Sequence, residues 1–240
     1  MGLHHSPKIV TNGLVLALDA GDRNSYTSGS STWNDLSGNG YNGTLTNGPT
    51  FDSANNGSIV FDGVNDYASI PGIGNLDFGV NDNFTIETWV NLQSIPASGN
   101  TSAICCKFFC CGIDWYYPTA NTIVFRAGVR NVTDGQKSFS SNNYRNLNQW
   151  YHLMFTYTPN QSDGMKLYVD GSLDATLTNV GLSEFSDNTE AFRMGANSVL
   201  GGSGRYSNIK TAGTKMYNRT LTAQEILQNY NALKGRFGLQ

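Results

Sequence analysis

Trp150-Tyr-His-Leu-Met-Phe-Thr-Tyr157, followed eight residues on by Met165-Lys-Leu-Tyr-Val-Asp-Gly171, is the stretch that decides the fold. Tyr151, Leu153, Phe155 and Tyr157 recur at a period of two, which puts them on one face of a strand. Met165, Leu167 and Val169 repeat the pattern, and Asp170-Gly171 is a hairpin-turn signal. Working outward, Phe84-Thr-Ile-Glu-Thr-Trp-Val90 alternates in the same way: Phe84, Ile86, Thr88 and Val90 share one face, Thr85, Glu87 and Trp89 the other. Ser58-Ile-Val-Phe-Asp-Gly63 is a strand ending in a second Asp-Gly turn, and Tyr67–Ile70 is a strand stopped by Pro71. Shorter strands are read at 121–126, 191–195 and 213–217. One helix stands out: Thr222-Ala-Gln-Glu225 is a capping box, Ile226, Tyr230 and Leu233 form its stripe, and Gly235 ends it. Many short strands with turn residues between them and one terminal helix predict an all-β, antiparallel jelly-roll sandwich with a short C-terminal helix. Residues 1–240 read as one domain, with 1–12 an N-terminal arm and 234–240 a C-terminal tail. The least regular part is 21–57, anchored by Trp33.

Composition narrows the function classes. Charged residues make up only 14% of the 240, against about 25% in an ordinary domain. Only four glutamates occur (Glu87, Glu184, Glu190 and Glu225), which argues against long solvated helices. A net charge of -3 gives no electrostatic footprint for nucleic acid. No apolar run has the length of a membrane span or of a secretory signal, so neither nucleic acid nor membrane is an expected partner.

Four segments carry a resemblance: Ser58-Ile-Val-Phe-Asp-Gly-Val-Asn-Asp-Tyr67, Phe84–Val90, Trp150–Gly171, and Lys215-Met-Tyr-Asn-Arg-Thr-Leu-Thr-Ala-Gln-Glu-Ile226 leading to Tyr230. In this order they resemble the laminin-G-like, concanavalin-A-like jelly-roll superfamily, in its pentraxin-related branch. That superfamily includes lectins, adhesins, glycanases and structural proteins, so the resemblance implies fold more than function. The opening His5–Ala20, the stretch Trp33–Leu45 and the ending Lys234–Gly238 resemble structural proteins of tailed bacteriophages, especially marine and cyanobacterial ones. That resemblance implies a non-enzymatic virion surface protein, a decoration or adhesion component of capsid or tail. Its partners would be other virion proteins, further copies of itself and host glycans. It would be assembled in the host cytoplasm without a signal peptide. A free lectin or carbohydrate-binding module is the alternative, and a glycan-active enzyme with dispersed carboxylates the third reading.

Little supports catalysis. Glycanases place two carboxylates across the scissile bond, and the Glu-x-Asp-x-x-Glu run of this fold's glucanases is missing. Glu87 reads as a strand residue satisfying a buried polar group, and His152 as strand packing.

Three constellations invite a binding role. Asp35, Ser37 and Asn39 occupy positions 1, 3 and 5 of a calcium-loop pattern with Gly40 at position 6. Position 12 is Thr46, so a missing acid would have to come from Asp19, Asp62 or Asp66. Calcium-binding relatives in the superfamily support this, and a tight turn stitched by Asx side chains is the other reading. Asp114, Trp115, Tyr116 and Tyr117, with Asn121 close by, read as an exposed loop offering aromatic faces and polar partners to a sugar. The same cluster also suits packing under a loop. Finally, Cys105, Cys106, Cys110 and Cys111 flank three residues. With 107–109 as a hairpin loop, Cys106 faces Cys110 and Cys105 faces Cys111, so cross-strand disulfides and packed thiols both stand open. A zinc site fits badly, because adjacent strand residues point to opposite faces.

Overall fold

The computed structural model describes residues 7–72, 81–95, 101–107, 111–116, 123–131, 135–141, 145–177, 191–197 and 206–240. The strands are β1 (Leu14–Asp19), β2 (Thr32–Trp33), β3 (Gly43–Thr46), β4 (Thr50–Asp52), β5 (Ser58–Asp62), β6 (Tyr67–Ile70), β7 (Phe84–Leu92) and β8 (Thr101–Lys107). They continue with β9 (Cys111–Tyr116), β10 (Val124–Asn131), β11 (Gly135–Ser140), β12 (Trp150–Tyr157), β13 (Met165–Val169), β14 (Ser172–Leu177), β15 (Phe192–Met194) and β16 (Asn208–Tyr217). Helix α1 spans Ala223–Leu233, and a 3-10 turn follows over Lys234–Phe237.

Two eight-stranded antiparallel sheets form the jelly-roll sandwich. The first runs β14-β13-β12-β7-β16-β5-β4, with β1 also paired to β16; the second runs β11-β10-β9-β8-β15-β6-β3-β2. The alternation read from β7 and β12 sets the inner face of the first sheet. Phe84, Ile86, Val90, Leu153, Phe155 and Tyr157 all enter the core between the sheets. From the second sheet come Ile70, Ile113, Trp115, Phe125 and Phe192, and Trp33 is fully buried among them. Fully burying a side chain of this size stabilises by about 1.5–3 kcal/mol, so this dry interior is the main thermodynamic support of the sandwich. Asp170 and Gly171 both take positive φ, 52° and 77°, as a two-residue type I′ hairpin demands. At Gly213 a Cβ atom would sit 2.0 Å from the Leu18 carbonyl oxygen. Glycine there lets β1 approach β16, whose register shifts between Thr211 and Gly213 against β7.

Several strand bounds differ from those read in the sequence. β16 begins at Asn208, five residues before the 213–217 read in the sequence, where the outward Lys210 interrupts the apolar run and hides the strand. The supposedly irregular 21–57 contributes β2, β3 and β4. Both chain ends also depart from expectation. Residues 234–240 are not a free tail: Phe237 is buried, its ring 4.3 Å from that of Trp89 and 4.6 Å from that of Trp150. Of the expected arm, residues 1–6 lie outside the described residues. Val10 is buried, its N–H donating to Asn229 Oδ1 at 2.8 Å and its carbonyl accepting from Tyr217 Oη at 3.1 Å.

Candidate functional site

The two sheets have opposite outer surfaces. On the first, α1 and the 3-10 turn form a lid. The helix starts where the capping box predicts: Thr222 Oγ1 accepts from Glu225 N–H, and Glu225 reaches back to Thr222 N–H at 2.9 Å. Under the lid, Trp89, Trp150, Ala212 and Phe237 form one cluster; Val10, Met154, Tyr168, Tyr217, Leu221 and Ile226 form another. Between them lies Glu87, 0% exposed. Its Oε1 accepts from Lys215 Nζ at 2.9 Å and its Oε2 from Asn229 Nδ2 at 2.7 Å, with Tyr217 Oη at 3.5 Å. His152 Nε2 lies 3.3 Å from the same Oε1, in a geometry that leaves both ring nitrogens without a hydrogen bond. Burial pushes the Glu87 carboxyl up, but the Lys215 ammonium, with the His152 ring beside it, outweighs burial and holds the group at about 2. Glu87 is therefore an ionised internal tie between β7, β16 and the helix, and substrate has no access to it. His152 packs against Trp89, ring centroids 4.9 Å apart.

Among the described residues no helix covers the outer face of the second sheet, and Asp114 and Tyr116 belong to it. Residues 111–116 form β9, not a loop, and strand alternation separates the expected cluster. Trp115 points inward and is fully buried, so it cannot offer a ring to a sugar. Asp114 and Tyr116 point outward. Tyr117 and Asn121 lie outside the described residues. The partner missed in the sequence is Arg126, directly opposite Asp114 on β10. Its Nε and Nη2 donate to Asp114 Oδ1 and Oδ2 at 2.8 and 2.6 Å, a bidentate fork. Its guanidinium lies 5.5 Å from the Tyr116 ring centre, and Tyr116 Oη is 3.1 Å from Ser140 Oγ. Burial nonetheless leaves the Asp114 carboxyl above its ordinary value, with Arg126 opposing. Further along, Arg193 lies 5.6 Å from the ring centre of Tyr67, which is 6.5 Å from that of Tyr206. A planar cation, a carboxylate and phenol rings, each partly exposed on one face, are groups that can bind sugar hydroxyls and stack on pyranose rings. The usable signal was parity: an outward residue at 126 follows once 121–126 is read as a strand.

The calcium pattern resolves into a stitched turn. Asp35 Oδ1 accepts from the N–H groups of Ala17 and Ser37, both at 2.9 Å, and Oδ2 from Ser37 Oγ at 2.7 Å and Tyr41 N–H at 3.1 Å. Asn39 Nδ2 donates to Ser37 Oγ at 3.0 Å. These donors point their hydrogens where a cation would sit. The proposed extra acids are engaged elsewhere. Asp19 pairs with Arg236 at 2.7 Å, and Asp62 Oδ1 accepts from Val64 N–H at 2.7 Å. Asp66 Oδ2 accepts from Asp62 N–H at 3.3 Å, and burial pushes its carboxyl up. Among the described residues no three His, Cys, Asp or Glu side chains converge as a metal site.

The cysteine hairpin has a different register from the expected one. Lys107 pairs with Cys111, Cys106 with Gly112 and Cys105 with Ile113, so Cys105 does not face Cys111. Cys105 and Cys111 face the core, Cys106 the open face. No disulfide joins these three, and Cys110 lies outside the described residues.

Comparison with known proteins agrees with this architecture. The profile of the concanavalin A-like lectin/glucanases superfamily, laminin-G type, matches residues 62–227. No curated protein matches the sequence. Among solved structures, the binding domain of Paraclostridial Mosquitocidal Protein 1 is similar with a TM-score of 0.72 at 17% identity, over 92% of this chain and 52% of that one. A structure of botulinum neurotoxin type C, whose cell entry depends on interaction with two ganglioside molecules, is similar with a TM-score of 0.70 at 16% identity, over 93% and 52%. Trypanosoma rangeli sialidase in complex with sialic acid is similar with a TM-score of 0.64 at 19% identity, over 93% and 33%. At these identities the likeness is one of fold, and the chain spans about half of the toxin domains and a third of the sialidase.

Proposed function

This chain belongs to the concanavalin A-like lectin/glucanases superfamily, and from that premise we propose that it is a non-catalytic glycan-recognition module acting through the open face of its second sheet. The observation that carries the reading is the Asp114–Arg126 fork beside Tyr116, on a sheet face that no helix among the described residues covers. Toxin binding domains and a sialidase among the structural neighbours add support, since their own ligands include gangliosides and sialic acid. The non-catalytic part rests on carboxylate placement. Glu87 is sealed under the lid, Glu225 is tied to Arg219 and the helix cap, and Asp114 is the one carboxylate among the described strand residues of the open face. A glycosidase needs a second carboxylate about 5–10 Å from the first.

The setting is a finer part of the same proposal. Display on a tailed-phage virion, beside other virion proteins and further copies of this chain, rests on the resemblance of the opening and closing segments. The neighbours named above add nothing to it. A free lectin would use the same face. A glycan array on the purified chain, with Tyr116→Ala and Arg126→Gln beside it, tests the recognition. Selective binding weakened at least about tenfold by both variants, with folding retained, is expected. An array with no bound glycan, or binding untouched by both variants, overturns it.

A further inference from the structure

The Glu87 carboxylate bridges two side chains that can react with each other. Lys215 stands directly opposite it on β16, and Lys215 Nζ donates to Oε1 at 2.9 Å. Asn229 descends from α1, and its Nδ2 donates to Glu87 Oε2 at 2.7 Å and to Tyr217 Oη at 2.8 Å. Asn229 Oδ1 accepts from Val10 N–H at 2.8 Å. A primary amine, a carboxamide and a carboxylate hydrogen-bonded to both therefore meet in one place. Lys215 is 7% exposed, and Glu87 and Asn229 are 0%. The apolar cluster of Val10, Met154, Tyr168, Tyr217, Leu221 and Ile226 lies beside them. In water a carboxamide is inert to amines. Held against one in a dry pocket, with a proton carrier between the two, it meets the conditions that activate a lysine nucleophile.

We propose that Lys215 and Asn229 join in an intramolecular isopeptide bond, formed by the folded chain itself with Glu87 as general base and acid. The bond stands apart from the glycan-recognition reading and does not depend on it. Both hydrogen bonds to Glu87 are short enough for proton transfer. Glu87 takes a proton from the Lys215 ammonium, and the amine lone pair attacks Asn229 Cγ. The carbonyl π electrons move to Oδ1, where Val10 N–H holds the developing negative charge. Glu87 passes its proton to Nδ2 and takes a second one from the attacking nitrogen. The Cγ–Nδ2 bond breaks as Oδ1 returns its electron pair, and ammonia leaves. A secondary amide, one ammonia and a protonated Glu87 replace the ammonium, the carboxamide and the carboxylate, and nothing is oxidised or reduced. The product straps α1 covalently to β16. It also removes the ammonium beside Glu87, so the charged tie belongs to the chain before the bond closes.

Intact mass and a tryptic map of the purified, folded chain test the bond. The expected mass is that of the sequence less one ammonia. Trypsin does not cut after an acylated lysine, so residues 211–219 should appear as one piece branched onto residues 220–234. Fragmentation should place the link between Lys215 and Asn229. Lys215→Arg keeps a cation beside Glu87 but lacks the primary amine, and it should retain its full mass. Glu87→Gln should form the linked peptide at least about a hundredfold more slowly, with the folding of both variants checked by circular dichroism. A wild-type chain that keeps its full mass and releases residues 211–215 after days at neutral pH overturns the bond. So does ammonia loss that maps to an Asn–Gly pair such as Asn56–Gly57, or that persists in Lys215→Arg. Linkage as fast in Glu87→Gln as in the wild type overturns the chemistry assigned to Glu87.

Discussion

Asp114 and Trp115 are adjacent in the chain and serve opposite sides of one sheet: the carboxylate of the first holds Arg126 on the open face, and the indole of the second is fully buried in the core. Substitutions at the two positions should therefore separate. Trp115→Ala leaves a cavity between the sheets and is expected to cost about 3–5 kcal/mol, seen as a lower midpoint in urea. Tyr116→Ala should change that midpoint by less than about 1 kcal/mol and act on ligand binding instead. A Trp115 variant that folds normally but loses binding would contradict the strand geometry of β9.

The folded-back C-terminus makes a second prediction. Phe237 lies over Trp89 and Trp150, and Arg236 Nη1, donating to Asp19 Oδ1, ties the same turn to the end of β1. Removing residues 236–240 should expose both indoles, red-shift tryptophan emission and destabilise by about 3 kcal/mol or more, in the range of a buried Phe lost from a core. Unchanged emission would mean that Trp89 is shielded without Phe237. Phe237→Leu, which keeps apolar contact without the ring stack, should fall between the two.

The sandwich was legible because its central strands alternate strongly. β7, β12 and β13 declare their inner faces through Phe84, Ile86, Leu153, Phe155 and Leu167, and the capping box marks the start of the helix. The open face was not legible, for a physical reason. Its members come together through pairings such as Cys106 with Arg193, far apart in sequence, and nothing local encodes which strand lies next to which. The cysteine hairpin shows the same limit on a smaller scale. A shifted register changes every cross-strand partner, so Cys105 meets Ile113 and not Cys111. Asp114 and Tyr116 were found by residue type. Their separation from Trp115 required knowing that the segment is a strand. The Asp35 turn illustrates why oxygen spacing alone is a weak metal signal: the same Asp and Ser oxygens that could coordinate a cation accept nearby N–H groups, and Asn39 turns its amide to donate.

The tie at Glu87 predicts how stability depends on pH. Burial raises its carboxyl, Lys215 and His152 lower it by more than burial raises it, and the net value is about 2, below the ordinary 4.5. In the unfolded chain the group takes up a proton near its ordinary value, whereas in the folded state it stays ionised. The stabilisation is fully present above that value and is lost as pH falls toward 2. The difference corresponds to about 3 kcal/mol, so urea midpoints should fall progressively through this window. Glu87→Gln should flatten that dependence. It also strands a buried Lys215, at a cost of about 3–5 kcal/mol at neutral pH. The double variant Glu87→Gln, Lys215→Met removes the charge from both sides. It should recover much of the neutral-pH loss while keeping the flat profile, because replacing a buried ion pair by neutral groups is often near neutral in energy. An acid slope that persists undiminished in both variants would place the titrating group outside this cluster and sink the assignment of Glu87 as the charged tie between β7, β16 and α1.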